Sequence, residues 1–129
     1  MAKAIGIGGA FMKAKEPEKL ARWYLNALNL ADDFEPSNVG GFGMSFSPSQ
    51  LPESAYLRFS VEGLENIHFP GVFMFNFVVE DMDGLLSRIA NHGGTILRKG
   101  FILEGVGEFA WIEDPEGNRV ELWEPENDS

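Results

Sequence analysis

Residues 109–125, FAWIEDPEGNRVELWEP, decide how the chain is read. Two apolar segments flank Asp114-Pro115-Glu116-Gly117-Asn118, a run of turn-forming residues, so the stretch reads as two strands joined by a turn. In the second strand Val120 and Leu122 alternate with Arg119, Glu121 and Trp123. Successive side chains of a strand point to opposite faces, which assigns Val120 and Leu122 to a core and turns Glu121 and Trp123 to the other side.

Upstream of this hairpin, Met82, Leu85, Leu86 and Ile89 mark one face of a helix from about Asp81 to His92. Asp81 suits the N-cap, and Gly93-Gly94 offers a left-handed stop. The apolar segment Val72–Val79 before it reads as a strand, with Phe73, Phe75, Phe77 and Val79 under the helix and Met74, Asn76 and Val78 on the opposite face. The same order occurs earlier in the chain. Ile5–Ala14 reads as a strand, and from Pro17 to Leu28 the residues Leu20, Trp23, Tyr24, Ala27 and Leu28 follow helical spacing. Pro17 at the first helical position, with Glu16 and Glu18 at the positive dipole end, marks the start.

An offset of 65 positions lays Lys15-Glu16 on Glu80-Asp81, Leu20 on Leu85, and Tyr56-Leu57-Arg58 on Glu121-Leu122-Trp123. Gly40–Ser47 and Glu108–Glu113 leave room for a hairpin in each half, and Glu62–Gly71 serves as connector. Each half therefore reads as β-α-β-β-β. The expected fold is α+β: modules 1–65 and 66–129 together form one domain, a curved, cup-like mixed sheet with its helices outside.

With 129 residues, eleven Phe and three Trp, the chain can supply a substantial core. It has no cysteine, which excludes disulfides, thiolate metal sites and cysteine nucleophiles. A net charge of −10 repels nucleic-acid phosphates and anionic lipid, so neither is an expected partner. No segment approaches membrane-spanning length and the start shows no leader pattern, so a cytoplasmic location is expected. Gly6-Ile7-Gly8-Gly9 lies within the first strand, outside the strand-to-helix context that a phosphate-binding loop requires.

Strand parity and the repeat send Gly9, Tyr56, Met74 and Glu121 to related positions around one concavity, with Phe11 and Arg58 beside them. A carboxylate in such a cup titrates abnormally unless it finds a cation or donor, and Arg58 and Asn76 are the candidate partners of Glu121. Pairing of Glu121 with Arg58 or Arg119, simply to hold the sheet, is the competing account.

KEPEKLARWYLNALNL (15–30) resembles the opening segment of the vicinal-oxygen-chelate superfamily, and FAWIEDPEGNRVELWEP its closing hairpin. This superfamily comprises the glyoxalase, bleomycin-resistance and extradiol dioxygenase folds. The resemblance implies paired βαβββ modules, a cup and commonly a homodimer, with swapped and unswapped pairing equally compatible. It also implies a divalent ion in the cup, held from the first and last strands of each module. Those four positions fall on Gly9, Tyr56, Met74 and Glu121, of which Glu121 alone matches; glycine has no donor, and thioether and neutral phenol are poor ligands for a hard cation. His68 in the connector and His92 at the helix end are assigned to solvent or capping.

The expected function is therefore that of a glyoxalase/bleomycin-resistance-like protein that binds a small organic molecule without a metal or other cofactor. Phe11, Trp111 and Trp123 would supply stacking surface, with Tyr56 and Met74 on the wall and Arg58, Asn76 and Glu121 orienting polar groups. Core packing is the competing account of Phe11 and Trp111. The alternative function is a glyoxalase-related lyase or isomerase with Glu121 as general base, its pKa raised toward neutrality. A dioxygenase would need a two-His, one-carboxylate set that these strands lack.

Overall fold

The computed structural model describes residues 2–5, 9–30, 35–36 and 41–126. The elements in chain order are α1 (Pro17–Ala27), β1 (Glu35–Pro36), β2 (Phe42–Gly43), a 3-10 turn (Pro48–Gln50), β3 (Phe75–Val78), α2 (Met82–Asn91), β4 (Thr95–Leu103), β5 (Gly107–Glu113) and β6 (Arg119–Pro125). The architecture is α+β. Four strands form an open mixed sheet in the order β3-β6-β5-β4, parallel between β3 and β6 and antiparallel elsewhere, while β1 and β2 form a separate antiparallel pair.

The second half folds as its periodicity dictates. Asp81 caps α2 by accepting from the Gly84 amide, and Glu124 of β6 accepts from the amides of Asp81 and Met82, so the strand's own carboxylate closes the helix start. Gly93, at φ +83°, supplies the left-handed stop. Leu20, Tyr24, Ala27 and Leu28 from α1 and its end meet Met82, Leu86 and Ile89 of α2 over the even-numbered side chains Ala110, Ile112, Val120 and Leu122. Both helices thus cover one sheet face, and cross-links hold them together: Trp23 Nε1 donates to the His92 carbonyl and Arg88 Nε to that of Asn26.

The DPEGN turn is locked from within. Asp114 is buried and accepts from the Tyr24 hydroxyl at 2.7 Å, from the Asn118 side chain, and from the amides of Glu116 and Asn118. Glu116 reaches back to accept from the amides of Lys15 and Glu16, fixing the entry to α1. The motif that marks the hairpin in sequence therefore also joins the two halves.

Three expectations need correction. The described part of Ile5–Ala14 forms no strand, nor does Tyr56-Leu57-Arg58, so among the described residues the first half contributes α1 and the short β1–β2 pair. A strand requires a neighbour's ladder, and these segments find none among the described residues. Their apolar side chains consequently lie open: Phe11 is 91% exposed and Leu57 67%. The strand expected over Val72–Val79 is shorter, and Phe73 is exposed instead of lying under α2. In the Gly40–Ser47 hairpin only the Phe42–Gly43 arm is a strand, pairing with Glu35–Pro36; Gly40, like Gly6-Ile7-Gly8, lies outside the described residues.

Candidate functional site

Strand register lines up the sheet face away from the helices. Asn76 of β3 stands opposite Glu121 of β6, Glu121 opposite Trp111 of β5, and Trp111 opposite Arg98 of β4. Asn76 Nδ2 donates to Glu121 Oε1 at 2.7 Å, so the carboxylate takes its donor from the amide. The next row runs Val78, Trp123, Phe109 and Phe101. The two rows form a polar edge beside an aromatic floor.

The floor is ordered by ring contacts. Phe109 lies nearly parallel to Trp123 (8°, centroids 6.2 Å apart) and to Trp111 (20°, 6.4 Å). Phe101 stands on edge against Phe109 and Trp111, and the Arg98 guanidinium sits 4.8 Å from the Phe101 centroid and 5.8 Å from that of Trp111. Such cation–aromatic contacts hold an arginine without neutralising it.

Two side chains from the first half and the connector cover this floor. Tyr56 packs on Trp123 at 4.9 Å, and the His68 imidazole stacks on Trp111 at 4.9 Å and 11°. Arg119 Nη1 donates to the His68 carbonyl. Trp123 Nε1 donates to the Val106 carbonyl, whereas the buried Trp111 Nε1 and Arg119 Nε have no partner among the described residues. A buried donor left unpaired is costly and uncommon.

Of the sequence-predicted residues, Tyr56, Asn76, Trp111, Glu121 and Trp123 share this face. Met74 lies just before β3 and is half-buried. Phe11 and Arg58 are exposed and make no hydrogen bond or ring contact with the face among the described residues; Arg58 instead acts, with His68, on the Glu62 carboxyl, whose pKa is lowered chiefly by hydrogen bonds from Ser60 and Asn66. His68 corrects the expectation, because it lies on the floor itself. His92 caps α2 as expected, its Nδ1 2.9 Å from the Arg88 carbonyl.

Sequence reasoning missed Arg98, Phe101 and Phe109. By simple alternation Arg98 would share the core face with Ile96, but β4 shifts register between Ile96 and Arg98 and again between Arg98 and Phe101. Each bulge turns the following side chains over. Gly100, at φ +75° in mid-strand, was the available signal of this irregularity.

The donor set does not fit a divalent ion. Among the described residues no three His, Asp or Glu side chains come close enough to hold one. Tyr56 is engaged with Trp123 and Glu121 with Asn76, while Gly9 and Met74 offer no hard ligand. A separate open groove of about 570 Å³ runs by Glu16, Lys19, Arg22 and Phe42, beside the start of α1, and none of the predicted site residues lines it.

No family model matches the chain, and no curated protein matches it significantly. Solved structures do. A glyoxylase/bleomycin resistance protein/dioxygenase domain from Frankia sp. EAN1pec aligns over 96% of this chain and 100% of its own, with TM-score 0.56 and 15% identity. An antibiotic binding protein from Streptomyces sp. CB03234 aligns over 97% and 100%, with TM-score 0.55 and 18% identity. The fosfomycin resistance protein of Listeria monocytogenes aligns over 96% of both chains, with TM-score 0.54 and 15% identity. What these proteins share with this chain is the fold.

Proposed function

We propose that the glyoxalase/bleomycin-resistance fold of this chain serves as a metal-independent receptor for a small planar organic molecule, bound on the sheet face away from the helices. The observation that carries this reading is the aromatic floor of Trp123, Phe109 and Trp111, edged by the polar row Asn76, Glu121 and Arg98. Flat apolar surface with a few fixed polar groups is what a small-molecule site requires. That solved neighbours include antibiotic-binding and resistance proteins supports the same reading.

Glu121 acts in this account as a fixed acceptor, with Asn76 setting its orientation. The lyase or isomerase alternative uses the same carboxylate to move a proton and requires turnover that vanishes in Glu121→Gln while the fold persists. Titration of tryptophan fluorescence with planar aromatics tests the proposal. Saturable quenching without turnover is expected, and Trp111→Leu should abolish it. Zinc, nickel, iron or manganese should leave the thermal midpoint nearly unchanged; stoichiometric stabilisation by any of them contradicts the metal-independent reading.

The apolar residues left open on unpaired segments, among them Phe11, Leu57, Phe59 and Val61, support a second copy of the chain as their cover. Sedimentation equilibrium should return a dimer, and charged substitutions at Leu57 and Phe59 should shift it toward monomer.

A further inference from the structure

From the polarity of the face we infer that its ligand is a fused planar aromatic with an acidic group at one end and a hydrogen-bond donor at the other, and that it takes the place held by the His68 ring. This rests on the proposed reading of the face as a binding surface and adds the ligand's charge, length and mode of entry.

Three observations converge. One cross-strand row carries a carboxylate, an indole and a guanidinium in that order: Glu121, Trp111, Arg98. Arg98 makes no salt bridge or hydrogen bond among the described residues; its contacts are with Phe101 and Trp111. Glu121 takes one amide donor on Oε1, and an ionised carboxylate accepts several. A planar molecule lying along the row therefore meets an acceptor at the β6 end and a cation at the β4 end.

Strand spacing sets the length. Glu121 and Arg98 lie two strands apart, roughly 9–10 Å between backbones at the usual inter-strand distance. That is the scale of a two- or three-ring system with its end groups, whereas a single ring cannot reach both.

The third observation concerns His68. Its ring lies almost parallel to Trp111, in the geometry of a stacked ligand, yet its imidazole makes no hydrogen bond among the described residues. Its backbone is held by Asn66 Oδ1 and by Arg119, while the ring rests on Trp111 and edge-on to Phe101, near the Glu62 charge. Trp111, only 4% exposed beneath it, has an Nε1 without a partner among the described residues. A ligand ring that replaces the imidazole preserves the stack, and its acidic group can satisfy Arg98.

Isothermal titration with three probes tests this: 6-hydroxy-2-naphthoate, 2-naphthoate and 2-naphthol. The hydroxynaphthoate should bind tightest. Arg98→Gln should weaken both carboxylates by roughly tenfold or more while changing 2-naphthol little, and Arg98→Lys should keep most of the preference. His68→Ala should tighten all three, because the competing ring is gone. Equal affinities that ignore Arg98→Gln would overturn the charge assignment and leave the aromatic site standing. Weaker binding in His68→Ala would overturn the displacement, and no binding by any probe would remove the parent reading as well.

Discussion

Asn76 and Glu121 face each other across the parallel β3–β6 ladder, joined by an amide-to-carboxylate hydrogen bond of 2.7 Å. This fixes the orientation of the carboxylate at the polar edge of the face. Asn76→Asp sets two like charges at the same register and should cost about 1 kcal/mol at pH 7. The loss of thermal midpoint should be larger than in Asn76→Gln, which keeps an amide donor. An equal loss in both variants would contradict the role given to the amide.

The buried Tyr24–Asp114 contact predicts an alkaline limit to stability. Burial raises the Tyr24 pKa above its ordinary value of 10, and the Asp114 hydrogen bond and charge raise it further. Above pH 10 the unfolded chain therefore releases a proton that the folded chain retains. Stability contributed by this phenol is full below pH 10 and falls as pH rises beyond it. Urea unfolding at pH 8 and pH 11 should show the decline, and Tyr24→Phe should remove most of the slope. The same variant should lose about 1–3 kcal/mol at pH 8, because the buried carboxylate loses a donor.

Gly107 opens β5 at φ +140°, where a Cβ would be driven into the Glu124 carbonyl and crowd Trp123 Nε1. Trp123 Nε1 is committed to the Val106 carbonyl, and the Glu124 carbonyl belongs to the backbone of the paired β6 strand. Gly107→Ala should destabilise by about 1–3 kcal/mol, read from the urea midpoint. It should also disturb the near-ultraviolet circular dichroism of the indoles.

Glu124 closes the start of α2 by accepting from two backbone amides, while the Asp81 side chain accepts from a third, that of Gly84. Glu124→Ala should cost about 0.5–2 kcal/mol. Hydrogen exchange at Asp81 and Met82 should accelerate ahead of the rest of the helix.

How far the sequence discloses this molecule depends on where each interaction is made. The second half was legible because its period is local: Met82, Leu86 and Ile89 repeat along α2, and strict alternation from Arg119 to Trp123 put Glu121 and Trp123 on the right side. Asn76 followed by the same parity. The expected strands around Phe11 and Tyr56 were not formed, because apolar alternation states a tendency and a strand needs a paired edge. Arg98 was hidden by the bulge between it and Ile96, which reverses parity. His68 was hidden for another reason: its partner Trp111 is distant in sequence, and nothing in the connector's composition reports a stack made through tertiary folding.

The indole N–H resonances of Trp23, Trp111 and Trp123 give the most direct test of binding on the sheet face away from the helices. Trp23 is an internal control, since it lies on α1 and donates to His92 on the helix side. On titration with 6-hydroxy-2-naphthoate, the Trp111 and Trp123 signals should shift saturably while that of Trp23 stays in place. A shift at Trp23 alone, or three unmoved signals at saturating probe, would contradict the assignment of this face.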